Sequence, residues 1–570
     1  MTRHDETPAA TSKASMTGTA APGVFAAAGL IAVLTLVARV VGFGRWLVFS
    51  QSVGTTCVGS VYQAANQLPN VIFEVAAGGA LAAVVVPIIA GQLARPNSGA
   101  TQNSAEAAQT ASAMLTWTLA VLVPLSILMA ASARPLASFM VDDQRCSGST
   151  DLMASMIVVF SPQIALYGVG IVLAGVLQAH RRFLGVVLAP LLSSLVVMAA
   201  YLMFGALAQG KGNDLARLPS RASMALALGT TLGVAVLSLS LLIPVHRAGV
   251  RLRPTWTFPD GVARRASALA GAGLLALFAQ QVAVLVTLWV SQHRGGTGTL
   301  NVYVYAQAIY LLPYAVLAVP FAMSALPALA TGLDQAVLAT APVQASFARA
   351  QSTLASSARA IIVATSAGAA VLFAIASPTG AFFSALDAGR HNPHGIAALA
   401  ALPGALSAFA PGLVGFGMAA LLTRALYVQG RPAVAGGLVA LGWFIAAIVP
   451  LLVLQSDAGP RSTLIALGLA SSLGMTVAAL GLFVAVRRTW GVKAFRGFGR
   501  SAVVACGAAL FSAAVGRGLA AVLHPQGLVA GAVVAALVAV VVAMLFAGSI
   551  WIGDRGSARL ALAKLPGRAR

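Results

Sequence analysis

Most of this chain consists of long apolar segments that contain almost no charged residues, and this pattern limits the folds that the chain can adopt. About 14 such segments follow one another between residues 23 and 552, and each has the length of about 20 residues that an α-helix needs to cross a bilayer. Charged residues make up 8% of the chain, whereas soluble domains have about 25%. The sequence therefore predicts an all-α integral membrane protein with about 14 transmembrane helices.

The basic residues are concentrated on one side of the predicted membrane. Lys and Arg number 35 against 13 Asp and Glu, and the net charge is +22. The main basic clusters are Arg181–Arg182, Arg247–Arg265, Arg487–Arg500 and Arg555–Arg570. Successive crossings put these clusters on the side of the N-terminus, so the positive-inside rule predicts that both termini are cytoplasmic. Anionic membrane lipids, rather than nucleic acid, are the expected partners of this charge.

Three charged residues lie within the first two predicted spans: Arg39, Arg45 and Glu74. A charge near the bilayer centre costs about 2.5–3.5 kcal/mol on insertion scales, so these residues are candidates for a substrate site. An excess of cations favours an anionic ligand, and the planar fork of arginine suits phosphate. The alternative for each arginine is that its side chain extends along the helix to the membrane interface.

Glycines accompany these charges and suggest breaks in the helices. Gly42 and Gly44 lie between the two arginines, which an ideal helix would place roughly 120° apart. Unwinding at Gly42–Gly44 would direct both arginines into one cavity, as in transporters with discontinuous helices. Gly78 and Gly79 follow Glu74 and predict a second bend, which would bring Glu74 inward to work with the arginines.

Prolines indicate an internal repeat of about 240 residues. Leu68-Pro69 followed by Pro87 is echoed by Leu312-Pro313 followed by Pro327, with Pro69 and Pro313 as the predicted kinks. A proline-marked helix in second place in each six-helix half is typical of a two-lobed transporter. The predicted divisions are a disordered cytoplasmic tail (1–22), an N-lobe (23–247), a basic cytoplasmic linker (248–265), a C-lobe (266–488), two final helices (489–552) and a basic cytoplasmic tail (553–570).

Several classes of function are not supported by the sequence. HExxH, GxxxxGK[ST] and GxSxG motifs are absent, as are carboxylates paired at catalytic spacing, so an enzyme is not expected. The three cysteines show no CxxC spacing and predict no metal site. Cys57 and Cys146 could both face outward and pair, although nothing in the sequence requires it.

The sequence resembles a known family of membrane proteins, the MurJ (MviN) lipid II flippases of the MOP exporter superfamily. The motifs that carry the resemblance are RVVGFGR at Arg39–Arg45, LPN at Leu68–Asn70 with Pro87, LQAHRRF…AP at Leu177–Pro190, YLLP at Tyr310–Pro313 and RALY at Arg424–Tyr427. The resemblance implies two pseudo-symmetric six-helix lobes around a cationic cavity, with a groove for the lipid tail formed by the last two helices. It matches the first-helix arginines of the family to Arg39 and Arg45.

Asn70 and Arg424 complete the set of predicted substrate-binding residues. Arg424 lies within about two helical turns of the inner face, where extension to the interface is equally compatible with its position. The charge network departs from the family pattern: an acid before LPN is replaced by Ser60, and an Asp-Arg pair in the eighth span is replaced by Gln307 and Ala308. We expect Glu74 to substitute for the missing acid.

These observations predict a flippase that moves an undecaprenyl-pyrophosphate-linked peptidoglycan precursor outward by alternating access in the bacterial cytoplasmic membrane. Another MOP exporter, either a polysaccharide-lipid flippase or a drug antiporter, is an alternative, although a drug antiporter would favour buried acids. A second alternative is a non-transporting scaffold of cell-wall assembly. No cofactor is expected; coupling to the membrane potential or to a monovalent ion stays open, and cell-wall synthesis proteins are further candidate partners.

Overall fold

The structure is a computed structural model that describes residues 22–94, 100–259, 274–323, 343–387 and 393–556, together with Val262 and Leu329. The helices before residue 260, the first half, are α1 (Pro22–Ser52), α2 (Cys57–Phe73), α3 (Gly79–Leu93), α4 (Ala100–Ala131), α5 (Ala133–Met140), α6 (Ser149–Phe160), α7 (Gln163–Ala179), α8 (Phe183–Ala208), α9 (Ser220–Leu239) and α10 (Leu242–Arg247).

The helices after residue 273, the second half, follow the same pattern of long apolar segments. They are α11 (Leu274–Val290), α12 (Thr299–Pro313), α13 (Val343–Ala374), α14 (Ala376–Asp387), α15 (Pro393–Ala400), α16 (Leu402–Phe409), α17 (Gly412–Val428), α18 (Pro432–Val453), α19 (Gly459–Trp490), α20 (Phe498–Leu523) and α21 (Leu528–Gly553). The 3-10 segments are Leu215–Arg217 and Val492–Phe495, and the π-helical segments are Glu74–Gly78, Ser291–Gly295 and Tyr314–Ala318.

The described helices confirm a multi-pass membrane protein. Eleven of them are long and apolar enough to cross a bilayer, and the pair Gly395–Phe409 and Gly412–Val428, bent by 47°, would add a twelfth span. Two further long helical stretches lie outside that set, namely α1 and the continuous helix from Cys57 to Leu93, as do the shorter helices α5 and α14. The predicted total of about 14 spans therefore stays a prediction.

The predicted unwinding at Gly42–Gly44 is wrong. Helix α1 continues without interruption through both glycines to Ser52, and an added Cβ at either glycine would have no neighbour within 4 Å. A glycine inside a helix costs only about 1 kcal/mol relative to alanine, so two of them do not by themselves break a long apolar helix. Arg39 and Arg45 therefore project from one continuous helix.

The proline-marked helices, in contrast, do depart from regular α geometry. Pro69 lies inside α2, and a π-helical segment follows at Glu74–Gly78, immediately before α3 begins at Gly79. In the second half, α12 ends at Pro313 and the π-helical segment Tyr314–Ala318 follows directly. A π-helical turn in each half thus follows the proline that marks the sequence repeat, and such turns are frequent at functional sites.

Among the described residues, the apolar core that the two halves share lies at one end of the molecule. We call this the disulfide end; it carries the turns at 53–56, 141–148 and 296–298. One apolar core there includes Phe49 and Tyr62 from the first half and Tyr305 and Phe409 from the second. The opposite end, which we call the basic end, carries the turns at Arg181–Arg182, Arg431 and 491–497.

At the basic end each half has its own core. Val85, Leu173 and Val245 belong to a cluster of the first half, and Ile361 and Trp490 belong to a cluster of the second. Because apolar burial is the main favourable term in packing, the distribution of these cores shows where the halves adhere. In the described part of the chain, the halves share one core at the disulfide end and have separate cores at the basic end. Toward the basic end they also touch where the Leu277 side chain lies against Gly79.

Helices α18 and α19 cross so closely that only glycine fits at the crossing. An added Cβ at Gly442 would lie 2.6 Å from the carbonyl oxygen of Gly474, and a Cβ at Gly474 would collide with the carbonyl oxygen of Gly442. The obstacle is backbone in both directions, so it cannot move aside as the end of a flexible side chain could. This contact locks the two helices together within the second half.

The predicted linker and tails are described only in part. The non-helical segment 250–259 lies along α4, where the amide of Arg253 donates to the Ser112 hydroxyl at 3.1 Å and the Trp117 indole donates to the Trp256 carbonyl at 3.1 Å. Residues 1–21, 557–570 and the rest of the linker, except Val262, lie outside the described residues. The predicted lobe boundaries stay predictions.

Candidate functional site

Ser60 links the first half to the second at the disulfide end. Its hydroxyl accepts a hydrogen bond from the amide of Gly298 at 2.8 Å, and its carbonyl accepts one from the Gln292 amide group at 3.2 Å. Ser60 is 5% exposed. The residue that departs from the family pattern therefore lies in a buried contact between the halves, where its hydroxyl accepts from the Gly298 amide without introducing a charge.

Two further hydrogen bonds cross the same junction. The Asn301 side chain donates to the Gly54 carbonyl at 2.7 Å, and the Thr55 hydroxyl donates to the Asp387 carboxylate at 2.6 Å. All four partners are buried. Hydrogen bonds to a charged acceptor contribute more than neutral ones, about 1.5–3 kcal/mol, so the Thr55–Asp387 pair is the strongest candidate for holding this end closed.

A disulfide between Cys57 and Cys146 lies beside these contacts, so the pairing that the sequence left open does form. It ties the start of α2 to the turn 141–148. From that turn the Arg145 guanidinium donates to the His293 carbonyl in the second half at 2.7 Å. The Thr297 hydroxyl lies 3.6 Å from the Cys146 sulfur. The disulfide therefore holds a turn of the first half against the second half.

Asp143 organises the same turn. The amide of Thr150 and the hydroxyl of Ser149 both donate to its carboxylate at 2.8 Å. These bonds, of which the Thr150 amide is the largest contributor, lower the pKa of Asp143 below its ordinary value of 3.8. A lowered pKa means that the ionised form stabilises the turn at neutral pH and that this contribution is lost only as the pH falls through the lowered value.

The two arginines of α1 have different surroundings. Arg39 is exposed, whereas Arg45 is half-buried and lies with its guanidinium carbon 5.1 Å from the ring centre of Trp46. Its Nε is buried and has no hydrogen-bond partner among the described residues. A buried guanidinium N–H without an acceptor is unfavourable, so Arg45 retains a donor for an anionic ligand.

Glu74 lies in the first π-helical segment, half-buried, with its carboxylate folded over Gly78. A side chain at Gly78 would collide with that carboxylate. Within the described ranges the ion pairs are Arg134–Asp151 and Arg217–Asp214, both at the disulfide end. The structure therefore does not bring Glu74 into ion-pair contact with Arg39 or Arg45 in this conformation, and the predicted cooperation stays a prediction.

Arg424 lies apart from the other predicted site residues. It is half-buried on α17, where it donates to the carbonyl of Ala420 one turn earlier at 2.6 Å and approaches the Met323 sulfur at 3.3 Å. Both contacts are within the second half. Arg424 is thus positioned at the side of the helix that follows Pro313, and its role in substrate binding stays a prediction.

Asn70 lines a polar cavity between the halves. The sequence did not predict that its lining residues come together. The cavity has a volume of about 190 Å³. Its amide side chains are those of Gln67, Asn70, Gln280, Gln281 and Gln307. Amides inside predicted apolar spans were the available signal, but α2, α11 and α12 are brought together only by the tertiary fold. The amides offer both donors and acceptors without adding charge.

A second cavity is large and apolar. It has a volume of about 780 Å³ and is lined by α13, α17, α19 and α20, with Phe373, Met418, Phe483 and Leu510 among its residues. The resemblance implied a groove made by the last two helices, and α20 does form one wall. The other walls belong to the preceding part of the second half.

The fold and these features define a class of protein. The protein is helical and multi-pass, and its two halves share an apolar core at one end, with arginines and amides near their junction. This is the architecture of an alternating-access transporter. The model of the family "Lipid II flippase MurJ" matches residues 49–551. The chain therefore belongs to the MurJ lipid II flippase family.

Solved structures share the fold. One described as "Lipid II flippase MurJ, inward closed conformation" has a TM-score of 0.68 at 16% identity and covers 92% of this chain and 99% of its own. An inward-facing multidrug resistance MATE transporter of the MOP superfamily has a TM-score of 0.58 at 14% identity, covering 80% and 94%. A MOP superfamily transporter from Pyrococcus furiosus has a TM-score of 0.57 at 14% identity, covering 81% and 95%.

Proposed function

We propose that this protein moves lipid II, the undecaprenyl-pyrophosphate-linked peptidoglycan precursor, from the cytoplasmic to the outer leaflet by alternating access. The observation that carries the proposal is the distribution of the apolar cores. In the described part of the chain, the two halves share one core at the disulfide end and have separate cores at the basic end. The positive-inside rule places the basic end in the cytoplasm. In that orientation the closed end faces outward, and the cytoplasmic side is the side from which the precursor enters.

The arginines of α1 supply the anion-binding chemistry. Arg39 is exposed and Arg45 keeps an unpartnered buried Nε, so both can donate to a pyrophosphate. Glu74 would neutralise part of the site when it is empty and yield when pyrophosphate arrives. Asn70 and its neighbouring amides would contact uncharged parts of the headgroup, and Arg424 would contribute from the second half.

The apolar cavity beside α20 suits the polyprenyl tail. Its volume of about 780 Å³ and its lining of aliphatic and aromatic side chains favour a long hydrocarbon chain over a polar group. Keeping the tail there while the headgroup occupies the site between the halves would let an amphiphile cross without exposing its polar part to the bilayer core.

The same proposal includes the cellular location of the protein, its partners and its energy source. The protein would reside in a bacterial cytoplasmic membrane with both termini in the cytoplasm, and it would act as a transporter without a catalytic step. Anionic membrane lipids and cell-wall synthesis proteins are its expected partners. The membrane potential or a monovalent ion would supply the energy for outward transport.

Depletion of the protein in its host tests the proposal. Lipid II should accumulate in the inner leaflet, and a plasmid copy with Arg39→Ala or Arg45→Ala should fail to relieve the accumulation while reaching the membrane at the normal level. Arg251→Ala, which removes an exposed arginine at the basic end, is the matched control and should restore export. Accumulation of a different lipid-linked precursor would favour the polysaccharide-lipid alternative, and no accumulation would favour a scaffold.

A further inference from the structure

A groove lined by cations lies at the basic end of the second half, away from the junction between the halves. It has a volume of about 950 Å³ and lies between the first turns of α13 and the connection from α19 to α20. Arg359, Lys493 and Arg496 line it. None of these residues was singled out by the transport proposal, and none lies near α1 in the chain.

Among the described residues, the three cations have no acidic partner. Neither Asp nor Glu is among the residues that line the groove, and none of the three forms an ion pair in the described part of the chain. Arg359 is half-buried and makes only a long hydrogen bond from Nε to the Ala355 carbonyl at 3.4 Å. Three like charges close together without compensation repel one another, so an anion in the groove would relieve an unfavourable arrangement.

Arg359 lies against the start of α20. Its Nη1 would lie 3.4 Å from a Cβ added at Gly497, which has a φ of +78°. Glycine adopts this conformation without strain and leaves room for the guanidinium to lie across the backbone. The groove therefore has one half-buried cation beside the backbone of Gly497, whereas Lys493 and Arg496 are exposed.

The groove adjoins an apolar surface. Phe495, at its wall, packs against Phe483 and Phe498 with ring centres 4.3 and 5.8 Å away, and Phe483 and Phe498 line the apolar cavity beside α20. Val492, also at the groove, is 66% exposed. Cationic and apolar surfaces thus meet beside the start of α20. This combination fits a ligand with an anionic head and hydrocarbon chains.

We propose that this groove binds the phosphate of an anionic glycerophospholipid. Arg359 donates to the phosphate as a planar fork, and Lys493 and Arg496 close over it. The acyl chains lie against Val492 and the three phenylalanine rings. Basic pockets between helices on the cytoplasmic side of membrane proteins bind lipid headgroups of this kind. The site is separate from the arginines of α1, so it is independent of which precursor the protein transports.

The test compares retained lipid in two variants that lose the same charge. The purified full chain is reconstituted in phosphatidylcholine nanodiscs containing phosphatidylglycerol, delipidated stepwise with detergent, and analysed for retained lipid by mass spectrometry. R359Q/K493Q/R496Q removes the groove cations. R181Q/R251Q/R253Q removes three exposed cations of the first half and serves as the control. We expect the groove variant to need at least about tenfold more phosphatidylglycerol for the same retention, and the control to match the unaltered protein.

Two outcomes would overturn the proposal: equal loss in both variants, which would indicate attraction by net charge alone, or full retention in the groove variant. Thermal unfolding of each variant checks that it is folded, and R496Q alone, which changes an exposed side chain, should give a partial loss if the triple variant is unstable. A second arm adds inorganic phosphate to discs of phosphatidylcholine alone. Saturable phosphate binding in this arm, combined with no retention of phosphatidylglycerol by the unaltered protein in the first arm, would assign the site to free phosphate and overturn the lipid assignment.

Discussion

Thr55 and Asp387, which are 332 residues apart in the chain, are joined by a buried hydrogen bond of 2.6 Å across the junction between the two halves. Thr55 follows the first helix, and Asp387 is the last residue of α14. Neither the spacing nor the composition of the sequence connects them. Their contact shows that closure of the disulfide end depends on single polar side chains as well as on the shared apolar core.

Replacing Thr55 by valine should therefore open the disulfide end more often. Loss of a bond to a charged acceptor typically costs about 1.5–3 kcal/mol, enough to raise the ratio of open to closed molecules by about tenfold or more. Paired spin labels at Ala216 and Ser456, in a C506A background, would report the distance between the halves. Ser138→Ala, which removes an exposed bond within one helix at the same end, should leave the distances unchanged. Unaltered distances in Thr55→Val would exclude this contact as a determinant of closure.

Replacing Arg45 by lysine should impair export although the charge is retained. The Nε of Arg45 is buried without a partner, and lysine cannot supply the two parallel donors that arginine offers a pyrophosphate. We expect precursor affinity to fall by about tenfold or more, the effect of one lost charge-assisted hydrogen bond. Titration of lipid II into reconstituted protein measures this, with Arg251→Lys as the control. Full affinity in Arg45→Lys would mean that charge alone suffices.

Replacing Glu74 by glutamine should alter precursor binding and release rather than the pH profile of transport. If Glu74 balances the arginines in the empty site, its neutral analogue leaves the site more positive and slows the departure of pyrophosphate. Flipping assays over a range of pH, run alongside binding measurements, separate the two effects. A pH dependence that is present in the unaltered protein and vanishes in Glu74→Gln would instead identify Glu74 as a proton carrier.

Removing the disulfide with Cys57→Ala and Cys146→Ala should destabilise the folded protein. The bond closes a segment of 89 residues, and disulfides typically contribute about 2–4 kcal/mol. Thermal unfolding with and without a reductant would show a lower transition for the double variant and for the reduced protein, whereas C506A should behave as the unaltered chain. If reductant has no effect on the unaltered protein, the bond does not contribute to stability under those conditions.

Adding a methyl group at the crossing of α18 and α19 should destabilise the second half. In Gly474→Ala the new Cβ would collide with the Gly442 carbonyl oxygen, and overpacking of this kind costs about 1–3 kcal/mol. Gly437→Ala is the matched control, because that position on α18 has nothing within 4 Å and alanine favours the helix. A lower unfolding temperature for Gly474→Ala, with none for Gly437→Ala, is the expected result.

The fold class was predictable because membrane insertion depends on local composition. Apolar segments of the length of a bilayer define helices whatever their partners are, so the multi-pass architecture could be predicted from the sequence alone. The π-helical segments after Pro69 and Pro313 also occur where the prolines suggested irregularity. Gly42 and Gly44 gave the wrong expectation, because glycine permits a break without requiring one.

The contacts between distant segments were not predictable in the same way. The amides of Gln67 and Gln307 come together only once α2 and α12 are packed, and the pairing of Cys57 with Cys146 depends on how the first half folds. Ser60 was notable only as a departure from a family pattern, yet it bonds to Gly298 and Gln292 across the junction. Such relationships depend on tertiary geometry, which a single sequence does not specify.

The distribution of apolar cores determines how much free energy is needed to open each end of the protein. Opening the disulfide end would divide a core that contains Phe49, Tyr62 and Tyr305. Opening the basic end would separate Gly79 from Leu277 but leave the two described cores there intact. Each 100 Å² of apolar surface newly exposed to water costs about 2.5 kcal/mol, and inverting a population from 1:99 to 99:1 takes about 5.5 kcal/mol. In the proposed orientation, the outward step therefore requires free energy to separate this core, and we expect the bound precursor or a transmembrane gradient to supply it in every cycle.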